Sequence, residues 1–181
     1  MSTLACLGRN LPELAISGGP AEAGELKEKI PEWPRISDDD KKALLEVLKS
    51  RRWCRIYPGS KAEVFEKAFS EYHDAKYGIA VSNGTVALEL PLKTLGIGVG
   101  DEVVVPAVTF IATASAVTEV GAVPIFADIN PETGSISPES IERLNTERTK
   151  AVIAVHYGGY PINFDKILPI VKKNNLFLME D

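Results

Sequence analysis

Ala151-Val152-Ile153-Ala154-Val155-His156 and, further on, Leu176-Phe177-Leu178-Met179-Glu180-Asp181 are the two stretches on which the fold turns. Each is a short apolar run closed by polar residues, and neither run alternates. Such runs are buried on both faces, as strands of a parallel sheet are. Between them Asn163 caps a segment with helical spacing that reaches Lys173. The same unit repeats outward from these stretches. Glu102 to Val105 and Val123 to Ala127 read as strands, and Tyr77 to Val81 as a further short one. Helices are expected over Val86 to Leu95, Phe110 to Val120 and Glu139 to Leu144. The last is opened by Ser137-Pro138-Glu139: a cap, a first-turn proline and an early acid. Strands alternating with helices predict an α/β fold, a mostly parallel sheet with helices on both faces. Ala151 to Val155 and Leu176 to Met179 are expected in the sheet interior of the complete protein.

Toward the N-terminus the pattern changes. Residues 1–36 read as an arm, because Gly18, Gly19, Pro20, Gly24, Pro31 and Pro34 break any periodicity. Trp33 is expected to anchor that arm on an apolar surface. Ser37-Asp38-Asp39-Asp40 opens a helix whose apolar face is Leu44, Leu45, Val47 and Leu48. Ser60-x-x-Glu63 reads as a second capping box. It leads into a stripe of Val64, Phe65, Ala68, Phe69 and Tyr72, expected to be core.

Composition bounds the function. Of 181 residues, 45% are hydrophobic and 25% charged, ordinary globular values. Net charge is −5, with no basic stripe of the kind nucleic acid requires. No apolar run approaches the length of a membrane span, and no signal peptide is evident. A cytoplasmic protein with reduced thiols is the expectation. Cys6, Cys54, His73 and His156 have no zinc-site spacing, so no metal is expected.

In parallel sheets ligands bind at the carboxyl ends of the strands. The polar residues just after the strands are Ser82 to Thr85, Thr109-Phe110, Asp128, His156 and Glu180-Asp181. Ser82-Asn83-Gly84-Thr85 lies between a strand and a helix. Free amides there, with the Thr85 hydroxyl, would bind a phosphate, and an ordinary cap is the other reading. Gly96-x-Gly98-x-Gly100 follows a helix and precedes a strand, so it is a helix end and turn rather than a dinucleotide site. Phe110 is core or a stacking surface for a planar ring. His156 is structural, or bonds a cofactor or substrate. A carboxylate such as Asp181 at a buried strand's mouth calls for a partner, and a protonated pyridine nitrogen is one candidate.

Val81-Ser82-Asn83-Gly84-Thr85-x-Ala87-Leu88-x-Leu90 resembles the DegT/StrS sugar aminotransferases. So do Gly100-Asp101-Glu102-Val103 and the run from Pro106 through Thr109-Phe110 to Ala114. Phe126-Ala127-Asp128-Ile129, Val155-His156-Tyr157-Gly158 and the closing Glu180-Asp181 fit as well. The resemblance covers about Ile36 to the end, and implies the fold-type I scaffold with pyridoxal 5′-phosphate (PLP) as cofactor. It implies Gly84 and Thr85 on the phosphate, Phe110 stacked on the ring, Asp181 on the ring nitrogen and His156 near the ring. Arg52-Trp53-Cys54-Arg55-Ile56-Tyr57 is similar to the family's N-terminal active-site loop. The implied substrates are a keto-sugar nucleotide and an amino-acid donor such as glutamate, acted on by a homodimer.

The family's Schiff-base lysine belongs to a later segment not found within these residues. Residues 37–181 are therefore expected to be part of a PLP-binding large domain, with its remainder and a C-terminal small domain missing, and inactive alone. A dehydratase on the same scaffold, with His for that Lys, is one rival. A non-catalytic ligand-binding remnant is a second, and a phosphate-binding module unrelated to PLP a third. Pro91 and Pro169 fall inside expected helices and should kink them.

Overall fold

The computed structural model describes residues 15–20, 30–31 and 33–181. Residues 1–73 and 74–181 form two compact units. Most of the expected arm, including Cys6 and Gly24, lies outside the described residues.

In the first unit, α1 (Asp38–Ser50) opens on a closed capping box. The Asp40 amide donates to Ser37 Oγ at 3.2 Å, and the Ser37 amide to Asp40 Oδ2 at 2.8 Å. α2 (Lys61–Tyr72) has half of the expected box. Ser60 Oγ accepts from the Glu63 amide at 3.3 Å, but Glu63 Oε2 takes the Gly59 amide at 2.6 Å. The Ser60 amide already donates to the Tyr57 carbonyl, at 3.0 Å, which removes the reciprocal bond. Both apolar stripes depart from expectation. Leu44, Leu45, Leu48, Val64, Phe65, Phe69 and Tyr72 are exposed, not core. Among the described residues every buried apolar side chain lies in 74–181, and two helices alone have no second layer against which to bury a stripe. Trp33 is 90% exposed, not seated on an apolar surface of the described residues as expected.

The second unit is built around four parallel strands in the order β2-β1-β3-β4: β1 (Glu102–Pro106), β2 (Val123–Ala127), β3 (Thr149–Ala154) and β4 (Phe177–Glu180). Side chains alternate across a sheet, and β1 and β3 divide accordingly. Val103, Val105, Ala151 and Ile153 meet α3 (Gly84–Thr94) and α4 (Ala112–Glu119) through Leu92, Ala114 and Val117. Val104, Val152 and Ala154 face the other way, onto Ile141 of α5 (Pro138–Leu144) and Ile167, Ile170 and Val171 of α6 (Phe164–Lys173). Helices on both faces are thus borne out. β3 is interior as expected, whereas β4 forms one edge of the described sheet, with Phe177 half exposed. Tyr77 to Val81, although its residues suit a strand, is not one of the four strands of this sheet.

One device ends three of the helices. After α3, Gly96 (φ +76°) donates to the Lys93 carbonyl at 3.0 Å and Ile97 to the Leu92 carbonyl at 3.0 Å. Gly121 and Ala122 repeat this pair of bonds after α4, and Asn175 and Leu176 after α6. This is the Schellman stop, in which the turning residue needs positive φ and the next one is apolar. Ile97, Ala122 and Leu176 are all buried, so each stop drives the chain back into the core just before β1, β2 or β4. Gly96 to Gly100 is therefore a helix end and turn, as read from its context. Pro91 and Pro169 sit within α3 and α6 without ending them. Both lie on exposed faces, as do Ala87 and Asp165, whose carbonyls lose the proline's missing donor and meet water instead.

Candidate functional site

From β1 the chain steps to β2 on one side, then lays β3 on the other side of β1. At such a reversal the strands' carboxyl ends leave a crevice between diverging connections. The loop after Pro106 carries Thr109 and Phe110, and α4 begins at Ala112, two residues later than expected. The Thr113 amide donates to the Phe110 carbonyl at 3.1 Å, so residues 110–113 form a tight turn ahead of the helix.

Thr113 is 1% exposed and its hydroxyl donates to Asp181 Oδ2 at 2.8 Å. Thr109 Oγ1 lies 2.9 Å from Thr113 Oγ1. A carboxylate has no proton to give, so Thr113 spends its proton on Asp181 and accepts the one on Thr109. Asp181 is also held through its main chain. Its amide donates to the Ala154 carbonyl at 3.0 Å, and its carbonyl accepts from the His156 amide at 2.9 Å. The ladder between β3 and β4 thus continues past β4. Oδ2 is engaged by Thr113, and Oδ1 remains for a ligand.

His156 stands across from it. Its Nδ1 accepts from the Ile162 amide at 3.2 Å, which leaves the proton of the neutral ring on Nε2, 3.4 Å from Glu180 Oε2. Its ring centroid lies 6.1 Å from that of Phe164. The strand ends therefore bring together Thr109, Thr113 and Asp181, whereas His156 meets Asp181 through its backbone amide alone and turns its ring to Ile162, Phe164 and Glu180.

At the start of α3, Asn83 Oδ1 accepts from the Val86 amide at 3.0 Å and its carbonyl from the Ala87 amide at 3.1 Å. Asn83 is therefore the cap. The amides of Gly84 and Thr85 precede the first intrahelical donor, Ala87, and stay free for an anion. A Cβ at Gly84 would meet nothing within 4 Å, so the space beside it is open. α3 packs along α4, the helix that carries Thr113. Phe110 is 75% exposed, a bare ring rather than a core residue.

Other polar residues at strand ends are spoken for. Asp128 pairs with Arg143 at 2.7 Å, and its amide donates to Ser140 Oγ at 3.0 Å. A cleft of about 860 Å³ between residues 129–139 and the start of α6 contains none of the candidate residues. Among the described residues no cluster of His, Cys, Asp and Glu could hold a metal, and Cys54 is an exposed free thiol. No described helix is long and apolar enough to cross a membrane. Thr113 escapes sequence reading as a site residue. The available signal is a β-branched polar residue on the buried side of an alanine-rich helix, which needs a hydrogen-bond partner.

The DegT/DnrJ/EryC1/StrS aminotransferase family matches residues 34–181. The L-glutamine:2-deoxy-scyllo-inosose aminotransferase of Streptomyces fradiae is 38% identical over 93% of this chain and 40% of its own length. The GDP-perosamine synthase of Escherichia coli O157:H7 is 41% identical over 82% of this chain and 40% of its own. Among solved structures, the aminotransferase from Psychrobacter cryohalolentis superposes with a TM-score of 0.79, at 41% identity, over 83% of this chain and 38% of that one. Bacillus subtilis NtdA with bound cofactor PMP gives a TM-score of 0.72, at 38% identity, over 80% and 34%. The chain thus spans about 40% of the length of the curated relatives it matches. The α/β unit described above is part of a fold-type I domain, and PLP is the family's cofactor. A carboxylate with one oxygen to spare, a bare aromatic ring and two free helix-start amides suit a cationic ring nitrogen, a planar ring and a phosphate. On sequence and on fold alike, this chain belongs to the DegT/DnrJ/EryC1/StrS aminotransferase family.

Proposed function

We propose that these residues are the cofactor-binding segment of an aminotransferase that passes an amino group from an amino acid, glutamate or glutamine, to the ketone of a sugar nucleotide. The single observation that carries this reading is Asp181. It is a carboxylate anchored on three sides at the carboxyl end of β4, with one oxygen free. PLP, when bound, supplies the electron sink for breaking a C–H bond beside nitrogen.

The chain's own residues would set up that chemistry. Asp181 Oδ1 would accept a hydrogen bond from the protonated ring nitrogen and so keep the proton there, which would sustain the sink. The Gly84 and Thr85 amides, aided by the Thr85 hydroxyl and the dipole of α3, take the phosphate. Phe110 would cover one face of the ring and exclude water from it. His156 lies beside Asp181 in the strand ladder, with its proton on Nε2. The lysine that moves protons at the reacting carbon is proposed to lie in the remaining part of the fold.

The test is to prepare the full-length protein with PLP and supply glutamate or glutamine in a first half-reaction. Keto-sugar nucleotides follow in the second. Conversion of the cofactor absorbance by one donor, then amino-sugar formation by mass spectrometry, is expected. A protein that holds PLP but responds to neither donor would refute the reading.

A further inference from the structure

Thr109, Thr113 and Asp181 form one directional chain of hydrogen bonds. It runs from a half-buried hydroxyl, through one that is 1% exposed, to a carboxylate. The proposed cofactor contacts use neither Thr109 nor Thr113. Their geometry nevertheless fixes which carboxylate oxygen is free. The bond from Thr113 at 2.8 Å fills the inner oxygen, Oδ2, and stabilises negative charge on Asp181. The bond from Thr109 at 2.9 Å turns the Thr113 proton toward Asp181, because Thr113 Oγ1 must accept there. Burial of Thr113 keeps water from replacing either bond.

The geometry points to Thr113 as a positioning residue for the amino-transfer reaction: relayed from Thr109, it aims Asp181 Oδ1 at the cofactor ring nitrogen and keeps the shared proton on that nitrogen instead of on the carboxylate. This rests on the reading of Asp181 given above. When Thr113 donates, the carboxylate competes less well for the proton. Without that donation the proton moves toward Asp181, the ring becomes neutral, and the sink is lost although the cofactor stays in place.

The test uses full-length holoenzyme loaded with PLP labelled with ¹⁵N at the ring. The ¹⁵N chemical shift reports protonation of the ring nitrogen independently of turnover, and the donor half-reaction is followed by stopped flow. Thr113→Val keeps the side chain's shape and removes the hydroxyl. It is expected to retain PLP, to shift the ¹⁵N signal toward the unprotonated form, and to slow the half-reaction by roughly ten- to a hundredfold, the loss of one hydrogen bond to a charged group. Thr113→Ser should restore both readouts, and Thr109→Val should move both in the same direction by less. Wild-type values for Thr113→Val, beside an Asp181→Asn protein that is altered in both, would overturn the relay and leave the Asp181 reading intact. Wild-type values for both variants would overturn the relay and that reading together. Should Thr113→Val not accumulate as folded protein, Thr109→Val decides, because it leaves the contact residue untouched. No change there overturns the relay.

Discussion

At Asp181 three hydrogen bonds leave one oxygen, and the whole electrostatic case rests on that atom. Asp181→Asn preserves shape and backbone bonds but removes the charge. An opposite charge within about 4–6 Å stabilises a protonated nitrogen by enough to favour it roughly ten- to a thousandfold. The full-length variant is expected to keep PLP and to lose turnover on that scale, read by single-turnover kinetics. A wild-type rate would remove Asp181 from the site. Thr85 is tested at the other end of the cofactor. Thr85→Val deletes one donor to an anion, worth about 1.5–3 kcal/mol. Titrating PLP into the stripped variant should show at least roughly tenfold weaker binding. Unchanged affinity would reduce residues 82–85 to a cap, a role that Asn83 already fills.

Elements, unlike single contacts, were largely legible in the sequence, and the misses have physical causes. Ser37, Ser60, Asn83, Ser137 and Asn163 cap their helices through the side chains that local chemistry suggests. The strand read as Ala151 to Val155 begins instead at Thr149, a polar residue that hydropathy discounts. It is buried because its hydroxyl accepts the Thr146 amide at 2.9 Å. Tyr77 to Val81 has strand composition, but pairing depends on a partner that local sequence does not encode. Thr113 looks like one more small residue of an alanine-rich helix, since the carboxylate that gives it meaning is 68 positions away. Burial sets the energetic weight of each strand. Ile153 on β3 is fully buried among Val103, Val105 and Leu92, so Ile153→Ala should cost about 2–5 kcal/mol in urea unfolding. Val123 on the edge strand β2 is 51% exposed, and Val123→Ala should cost less than about 1 kcal/mol. Equal losses at the two positions would contradict the division between interior and edge strands.

Across the whole 74–181 unit, the two ends of the sheet have different tasks. Candidate chemistry gathers at the carboxyl ends, and the amino ends are locked by Glu102. Thr146 Oγ1 donates to its Oε2 at 2.6 Å and Arg148 Nε to its Oε1 at 2.9 Å, tying the start of β1 to the loop before β3. These bonds, Thr146 first and Arg148 next, hold the Glu102 carboxyl below its ordinary value. A group with a depressed folded value stabilises above its unfolded pKa, near ~4.3, and that stability is lost as pH falls through the folded value. Acidification below about pH 4 should therefore weaken the fold, and Glu102→Gln should flatten that part of the stability curve. Identical pH slopes in both proteins would exclude Glu102 as a cause. The pairing order has one more consequence, for a chain emerging from the ribosome. β2 joins β1, β3 joins β1, and β4 joins β3, so none of these four strands waits for a neighbour among them that is synthesised later. Thr113, made 68 residues before Asp181, is already in position to receive it. Assembly of these four strands can keep pace with translation, and the hydrogen-bond chain from Thr109 through Thr113 is completed when the Asp181 carboxylate is delivered.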